Sequence, residues 1–212
     1  MITITAFKWV PPFAQGVVRD LRARWALEEA GIPYQVRLID PQIQASPEYR
    51  AQQPFGQVPV LVDDNLTLFE TGSILLYIAD RSKTLLPEDE KERARAVSWV
   101  FAALNSIEPF VQQLAELDFF YPGQEWTRLR RPDVLNMTRR RLSELSTWLG
   151  DRDYLEGRFT VGDLMMTTVL RILRHTDVVQ SEPKLAVYQA RCEARPAFQR
   201  ALQGQMAAFE PR

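Results

Sequence analysis

The sequence predicts an α/β domain over residues 1–82, a short linker over residues 83–89 and an all-helical domain over residues 90–212. Short apolar and β-branched runs alternate with helix-period segments in the first part of the chain. Beyond residue 90, apolar residues recur three and four positions apart and strand patterns stop. We therefore expect a mixed four-stranded sheet in the order β-α-β-α-β-β-α, followed by helices.

A parallel β-α-β unit is expected at the start of the chain. Residues 2–7 alternate branched apolar residues with threonine, which is typical of a strand. A loop with two prolines and a glycine follows, and residues 17–30 then show a helix pattern that ends at Gly31. Residues 34–39 read as the second strand. This spacing predicts parallel strands joined by a right-handed crossover.

The rest of this domain is predicted to hold a connector, a hairpin and a helix. Residues 41–53 form a weaker, partly helical connector. Residues 58–62 and 66–69 are two strand-like runs separated by Asp63-Asp64-Asn65, which favours a tight hairpin. The apolar, helix-period segment 74–79 completes the domain.

The second domain is predicted to contain only helices. Residues 97–114 carry apolar side chains at helical spacing, which indicates one long amphipathic helix, and residues 135–149 indicate another. Thr160 and Asp163 have the spacing of a capping box ahead of an apolar helix. We expect this capping box to serve folding rather than chemistry. Two shorter helices follow, each with a proline near its start.

Two short motifs on either side of the hairpin point to a ligand site. Pro59 cannot donate to a sheet ladder, and a cis Val58-Pro59 bond would direct the main-chain N–H and C=O of Val58 outward. Glu70-Thr71-Gly72-Ser73 opens a helix, so backbone amides converge beside an acid and a hydroxyl. Such a helix start can hold a small ligand that carries both a carboxylate and an amine.

These motifs carry a resemblance to a known family. The pattern Gly-Gln-Val-Pro-Val-Leu, followed by Glu-Thr at a helix start, resembles the glutathione-binding half of the glutathione S-transferases. The resemblance covers nearly the whole chain and implies a thioredoxin-like first domain with an all-helical second. It implies glutathione as co-substrate, transfer of its thiolate to a small hydrophobic electrophile, a role in detoxification, and no metal.

The resemblance also assigns binding residues. It implies that the main chain of Val58 pairs with the cysteinyl part of glutathione, and that Pro59 is the cis-proline of the motif. Glu70 is expected to hold the α-amine, and the hydroxyl and amide of Thr71 the γ-glutamyl carboxylate. Gln57 is expected to contact the glycyl end.

The thiol-activating group is where this sequence departs from the family. Most members place a serine, cysteine or tyrosine between the first strand and first helix, but residues 7–21 contain none. Lowering a thiol pKa from roughly 8.5 by about two units requires ~2.7 kcal/mol. One good donor supplies ~1.5–3 kcal/mol and a helix start about 0.3–1 kcal/mol. We expect the amides at the helix start, assisted by Arg19 or Gln15, to stabilise the thiolate.

Composition argues against several other classes. Lys and Arg total 26 against 27 acidic residues, giving a net charge of −1, so no basic field favours nucleic acid or an anionic membrane. One cysteine and one histidine cannot make a disulfide framework or a cysteine metal cluster, and they argue against zinc. The sequence shows neither a signal-peptide pattern nor a membrane-length apolar run, so we expect a cytoplasmic protein.

The sequence is compatible with two function classes. The first is an enzyme that conjugates glutathione to electrophiles, or uses it to reduce a peroxide or to dehalogenate. The second is a glutathione-binding protein of the same fold with little catalysis, since fold does not settle function. Phe55 occupies the place where some family members project an aromatic into a partner subunit, so the resemblance also implies a homodimer.

Overall fold

A computed structural model describes residues 1–209 of the chain; residues 210–212, which belong to the predicted helical domain, lie outside the described residues. Four strands form one sheet in the order β2-β1-β3-β4. They are β1 (Ile2–Phe7), β2 (Tyr34–Ile39), β3 (Leu61–Asp63) and β4 (Leu66–Leu68). β1 is parallel to β2, and β3 is antiparallel to both β1 and β4. The predicted fold class, a mixed thioredoxin-like sheet followed by helices, is confirmed.

β3 begins later than the pattern predicted, because the residues before it bond to a side chain. Pro59 has no N–H to donate. The N–H of Val60 donates to the Thr5 hydroxyl at 2.8 Å, and the Val60 carbonyl accepts from the Thr5 N–H at 2.9 Å. Residues 58–60 therefore approach β1 without joining the regular ladder.

Four helices accompany the sheet: α1 (Asp20–Ala30), α2 (Pro41–Ala45), α3 (Pro47–Gln52) and α4 (Thr71–Ala79). The start of α1 is later than predicted, since the residues before it form a series of hydrogen-bonded turns. Gly31 ends α1 in the left-handed conformation, as predicted. The connector contains two short helices, capped by the side chains of Asp40 and Ser46.

The remaining α-helices of residues 1–209 are α5 (Glu90–Ala102), α6 (Glu108–Phe119), α7 (Glu125–Leu149), α8 (Val161–Leu170), α9 (Pro183–Glu193) and α10 (Pro196–Met206), and a 3₁₀ turn, Arg171–Leu173, follows α8. A π-helical segment, Ala103–Ile107, separates α5 from α6, so the single long helix predicted here is interrupted. Pro109 lacks the N–H that would bond to the carbonyl four residues earlier, which explains the break. The predicted capping box at Thr160 and Asp163 is present.

The chain forms two compact units. One contains Met1–Leu86 together with residues 195–209, and the other contains Pro87–Ala194. The sequence placed α10 in the helical domain, whereas in the structure α10 packs on α1. Trp25 and Phe198 meet edge to face with ring centroids 4.8 Å apart.

No helix within residues 1–209 is long and apolar enough to span a membrane.

Candidate functional site

The loop before β3 presents one residue with open main-chain groups. The Val58-Pro59 peptide bond is cis. The Gly56 carbonyl accepts from Gln44 Nε2 at 2.7 Å, and the Gln57 carbonyl accepts from the Tyr49 hydroxyl at 2.7 Å. The N–H and C=O of Val58 form no hydrogen bond with any of the described residues 1–209. An extended peptide beside Val58 could therefore pair with both groups.

A buried hydrogen-bond relay holds this loop in place. Tyr49 uses its hydroxyl hydrogen on Gln57, so Thr5 donates to the Tyr49 oxygen at 3.0 Å. Thr5 in turn accepts from the N–H of Val60. Burial raises the pKa of Tyr49, which keeps the phenol protonated and able to donate. The orientation of Gln57 and Val58 is thus fixed by side chains beneath the loop.

Glu70 adopts an unfavourable backbone conformation immediately before α4. Its φ is 67° and its ψ is 120°, a region that residues with a Cβ rarely occupy. Its side chain is exposed and makes no capping hydrogen bond to α4. Helix capping therefore does not explain the carboxylate. Strain of order 1–3 kcal/mol at a residue with no folding role is typical of functional sites.

Thr71 lies at the first position of α4 and is buried. Arg22, itself only 2% exposed, donates from Nη1 to the Thr71 hydroxyl oxygen at 3.2 Å. That contact directs the hydroxyl hydrogen of Thr71 away from Arg22. The first amides of α4 have no intrahelical acceptor, so the helix start and the guanidinium favour an anion at the same place.

The start of α1 links the two motifs. Val18 packs against the apolar cluster that contains Val58, and Arg22 reaches Thr71. Val18 and Arg22 are four residues apart, so they lie on the same side of the chain as it enters the helix. The structure therefore brings the cis-proline loop and the start of α4 to one face of α1.

The residues predicted for thiol activation come just before α1 in the chain. Arg19 occupies the cap position of α1. Gln15 Nε2 donates to the Val10 carbonyl at 3.2 Å, which braces the loop before α1. The Val17 N–H donates to the Ala14 carbonyl at 3.1 Å, so this one of the expected amides is already used in a turn. Stabilisation of the thiolate by Arg19 or Gln15 stays a prediction. Gln57, predicted for the glycyl end, has an exposed side chain.

Sequence reasoning missed three residues that shape the site. Thr5 and Tyr49 build the relay under the loop, and Arg22 supports Thr71. A signal existed only for Arg22, because it lies between the apolar residues Leu21 and Trp25 of the predicted helix and four residues after Val18, and an arginine that is buried with them needs a partner. Among residues 1–209, no group of three or more His, Cys, Asp or Glu side chains could hold a metal ion.

Known proteins of similar sequence and structure include several that are named as glutathione transferases. Residues 13–80 match the family model of the glutathione S-transferase N-terminal domain. A glutathione S-transferase of Silene vulgaris is 31% identical over 174 residues, covering 74% of this chain and 78% of the relative. A disulfide-bond oxidoreductase of Escherichia coli is 29% identical over 142 residues, covering 60% and 66%. A glutathione transferase of Burkholderia graminis superposes with a TM-score of 0.84 at 25% identity, covering 95% of this chain and 87% of that protein; its crystal structure contains two glutathione molecules per subunit.

The fold and the site therefore define a protein with a thioredoxin-like domain that carries a cis-proline loop, followed by a helical region. The chain belongs to the glutathione S-transferase family.

Proposed function

We propose that this protein is a glutathione transferase that delivers the glutathione thiolate to a small hydrophobic electrophile, and that it acts in the cytoplasm in a detoxifying role. One combination of features supports the proposal most strongly. The main-chain groups of Val58 are open, and Glu70, which has a strained backbone and does not cap α4, precedes Thr71. Val58 pairs with the cysteinyl main chain, and Glu70 accepts from the α-ammonium group. Thr71 donates to the γ-glutamyl carboxylate, and Gln57 contacts the glycyl end.

The reaction needs the thiolate and little else from the protein. The sulfur lone pair attacks an electrophilic carbon and a C–S bond forms. In a substitution, the bond to the leaving group breaks and that group departs with the electron pair. In an addition to a double bond, the π bond breaks and its electron pair takes a proton from water. Arg19, at the cap of α1, supplies a positive charge near the expected sulfur position, and Gln15 supplies an amide donor. Together with the dipole of α1, one such donor accounts for the ~2.7 kcal/mol that a two-unit fall in thiol pKa requires.

A second candidate is a glutathione-binding protein with little transferase activity, or one that uses glutathione to reduce a peroxide or disulfide. Two observations support this second candidate. Residues 7–21 contain no serine, cysteine or tyrosine. The Escherichia coli relative is a disulfide-bond oxidoreductase.

Glutathione binding and turnover, measured together, test these alternatives. We expect calorimetry to show glutathione binding and an aromatic halide to be conjugated. We also expect Arg19→Ala or Gln15→Ala to move the pH profile of turnover toward higher pH by about one unit, because loss of one donor removes ~1.5 kcal/mol from the thiolate. Binding without conjugation, with turnover of a peroxide or disulfide, favours the second candidate. An unchanged pH profile in both variants removes Arg19 and Gln15 from the mechanism.

We also propose that the protein is a homodimer with Phe55 in the interface. Phe55 is 65% exposed and meets Phe69, which is 38% exposed, edge to face at 6.5 Å. Exposed aromatic pairs of this kind commonly mark interfaces. We expect Phe55→Glu to shift sedimentation from dimer to monomer, while Val187→Glu, at an apolar site on α9 that is 58% exposed, leaves the dimer intact. A Phe55→Glu protein that sediments like the wild type contradicts this interface.

A further inference from the structure

A buried polar cluster joins α10 to the first turn of α1. Gln205 on α10 is fully buried, and its Nε2 donates to the carbonyl of Val18 at 3.1 Å and to Oδ1 of Asp20 at 2.6 Å. The other carboxylate oxygen of Asp20 accepts from Arg24 Nε at 2.8 Å. Asp20 and Arg24 are 1% and 3% exposed. Hydrogen bonds between groups so deeply buried fix their orientation, because breaking one leaves a buried polar group without its partner.

The amide of Gln205 has one orientation that fits these acceptors. A carbonyl and a carboxylate both need an N–H, so the NH₂ group of Gln205 must face α1. In a trans peptide the C=O and the N–H point in opposite directions. The Val18 carbonyl also accepts from the Leu21 N–H at 3.0 Å, so the bond from Gln205 acts together with this turn bond to fix the peptide plane between Val18 and Arg19. The Arg19 N–H points away from Gln205, in the direction of the other amides at the start of α1.

This peptide plane belongs to the segment expected to face the glutathione sulfur. Val18 packs against the cluster that contains Val58, and Arg19 follows it at the cap of α1. The charged groups around the turn are Arg19, Arg22 and Arg24, together with Asp20. An ionised Asp20 opposes a thiolate nearby, and the donors from Arg24 and Gln205 offset that charge.

We propose that Gln205 is a positioning residue for thiolate formation: through its two hydrogen bonds, α10 holds the Val18–Asp20 turn in the geometry that stabilises the glutathione thiolate. The inference rests on the proposed function. It assigns to α10 a role in the chemistry of the sheet domain, although Gln205 and Val18 are 187 residues apart in sequence.

Other contacts keep α10 on α1 when Gln205 is changed. Arg195 forms a bidentate ion pair with Glu29, with distances of 2.6 and 2.8 Å, near the opposite end of α1. Trp25 and Phe198 stack edge to face between the two polar contacts. The Arg195–Glu29 pair therefore provides a matched control, because its loss weakens the same helix pair without touching the start of α1.

The test compares Gln205→Met with Arg195→Met in the full chain. Methionine keeps the length of the glutamine side chain and removes both donors. The pKa of the bound glutathione thiol is read from the pH dependence of thiolate absorbance, alongside kcat and KM for glutathione. For Gln205→Met we expect the thiol pKa to rise by about one unit, which means about tenfold less thiolate and about tenfold lower kcat at neutral pH. For Arg195→Met we expect a lower melting temperature with an unchanged thiol pKa.

The outcomes separate the two proposals. A wild-type protein that binds glutathione without lowering its thiol pKa overturns the proposed thiol activation and leaves nothing for Gln205 to position. A wild type that lowers it, with the same thiol pKa in Gln205→Met, overturns the role of Gln205 alone. If Gln205→Met does not fold, Asp20→Asn combined with Gln205→Met removes the buried charge of Asp20, whose Oδ1 has lost its donor. The comparison is then made between this double variant and Asp20→Asn.

Discussion

Replacing Asp163 with alanine is expected to lower the melting temperature by about 10 °C. The side chain is fully buried at the start of α8. Its Oδ1 accepts from the Leu155 N–H at 2.9 Å and the Tyr188 hydroxyl at 3.0 Å. Its Oδ2 accepts from the N–H and hydroxyl of Thr160 at 2.9 and 3.2 Å. Alanine leaves several buried donors unpaired, a loss of about 3–5 kcal/mol, and each kcal/mol shifts the melting temperature of a chain this size by about 2–4 °C.

Circular dichroism during a thermal scan measures the melting temperature, and two further variants serve as comparisons. Asp163→Asn has the same shape, but its NH₂ group faces donors rather than acceptors, so we expect it to be destabilised as well. Asp151→Ala removes an exposed acid that forms a surface ion pair with Lys184, so its melting temperature stays near that of the wild type. If Asp163→Ala has the same melting temperature as the wild type, the capping box has no role in stability.

This capping box shows which contacts a sequence reveals. Thr160 and Asp163 are three residues apart, and a local spacing is visible in one segment of chain. The bond to Tyr188 joins residues 25 positions apart, and nothing in the sequence around either of them indicates it. The sequence also gave little indication of the break between α5 and α6. The apolar spacing continues through Ala103–Ile107, and only the missing N–H of Pro109 distinguishes a π segment from a continuous helix.

The candidate site likewise contains local motifs, which the sequence reveals, and long-range contacts, which it does not. Val58-Pro59 and Glu70-Thr71 are motifs within single segments, and the fold places both against the start of α1. The relay from Thr5 to Tyr49 joins positions 44 residues apart, and each residue alone is ordinary for a strand or helix. Gln205 gave no signal, because a glutamine on a short amphipathic helix is usually exposed. Packing of α10 on α1 decides its role, and the sequence assigned α10 to the helical domain.

Replacing Glu70 with glutamine is expected to weaken glutathione binding by roughly 10- to 150-fold, measured by calorimetry. The carboxylate is proposed to accept from the α-ammonium group of glutathione, and a hydrogen bond between charged groups contributes ~1.5–3 kcal/mol. Glutamine keeps the size of the side chain and its carbonyl oxygen but removes the charge. Glu90→Gln, which removes one acidic charge from the start of α5, controls for net charge and should bind as the wild type does. Equal affinity in Glu70→Gln and wild type contradicts the assignment.

Glycine at position 70 separates a binding role from a folding role. The φ of 67° strains any residue with a Cβ, and glycine adopts this conformation freely. If Glu70 is retained for its carboxylate, Glu70→Gly loses affinity for glutathione while its melting temperature stays equal or rises by about 2–4 °C, the effect of relieving ~1 kcal/mol of strain. A structural role for the side chain predicts the opposite, a lower melting temperature in Glu70→Gly. A carboxylate that serves only the ligand contributes nothing to the stability of the folded chain, so its loss does not lower the melting temperature. Weaker glutathione binding at unchanged stability therefore assigns the Glu70 carboxylate to the ligand.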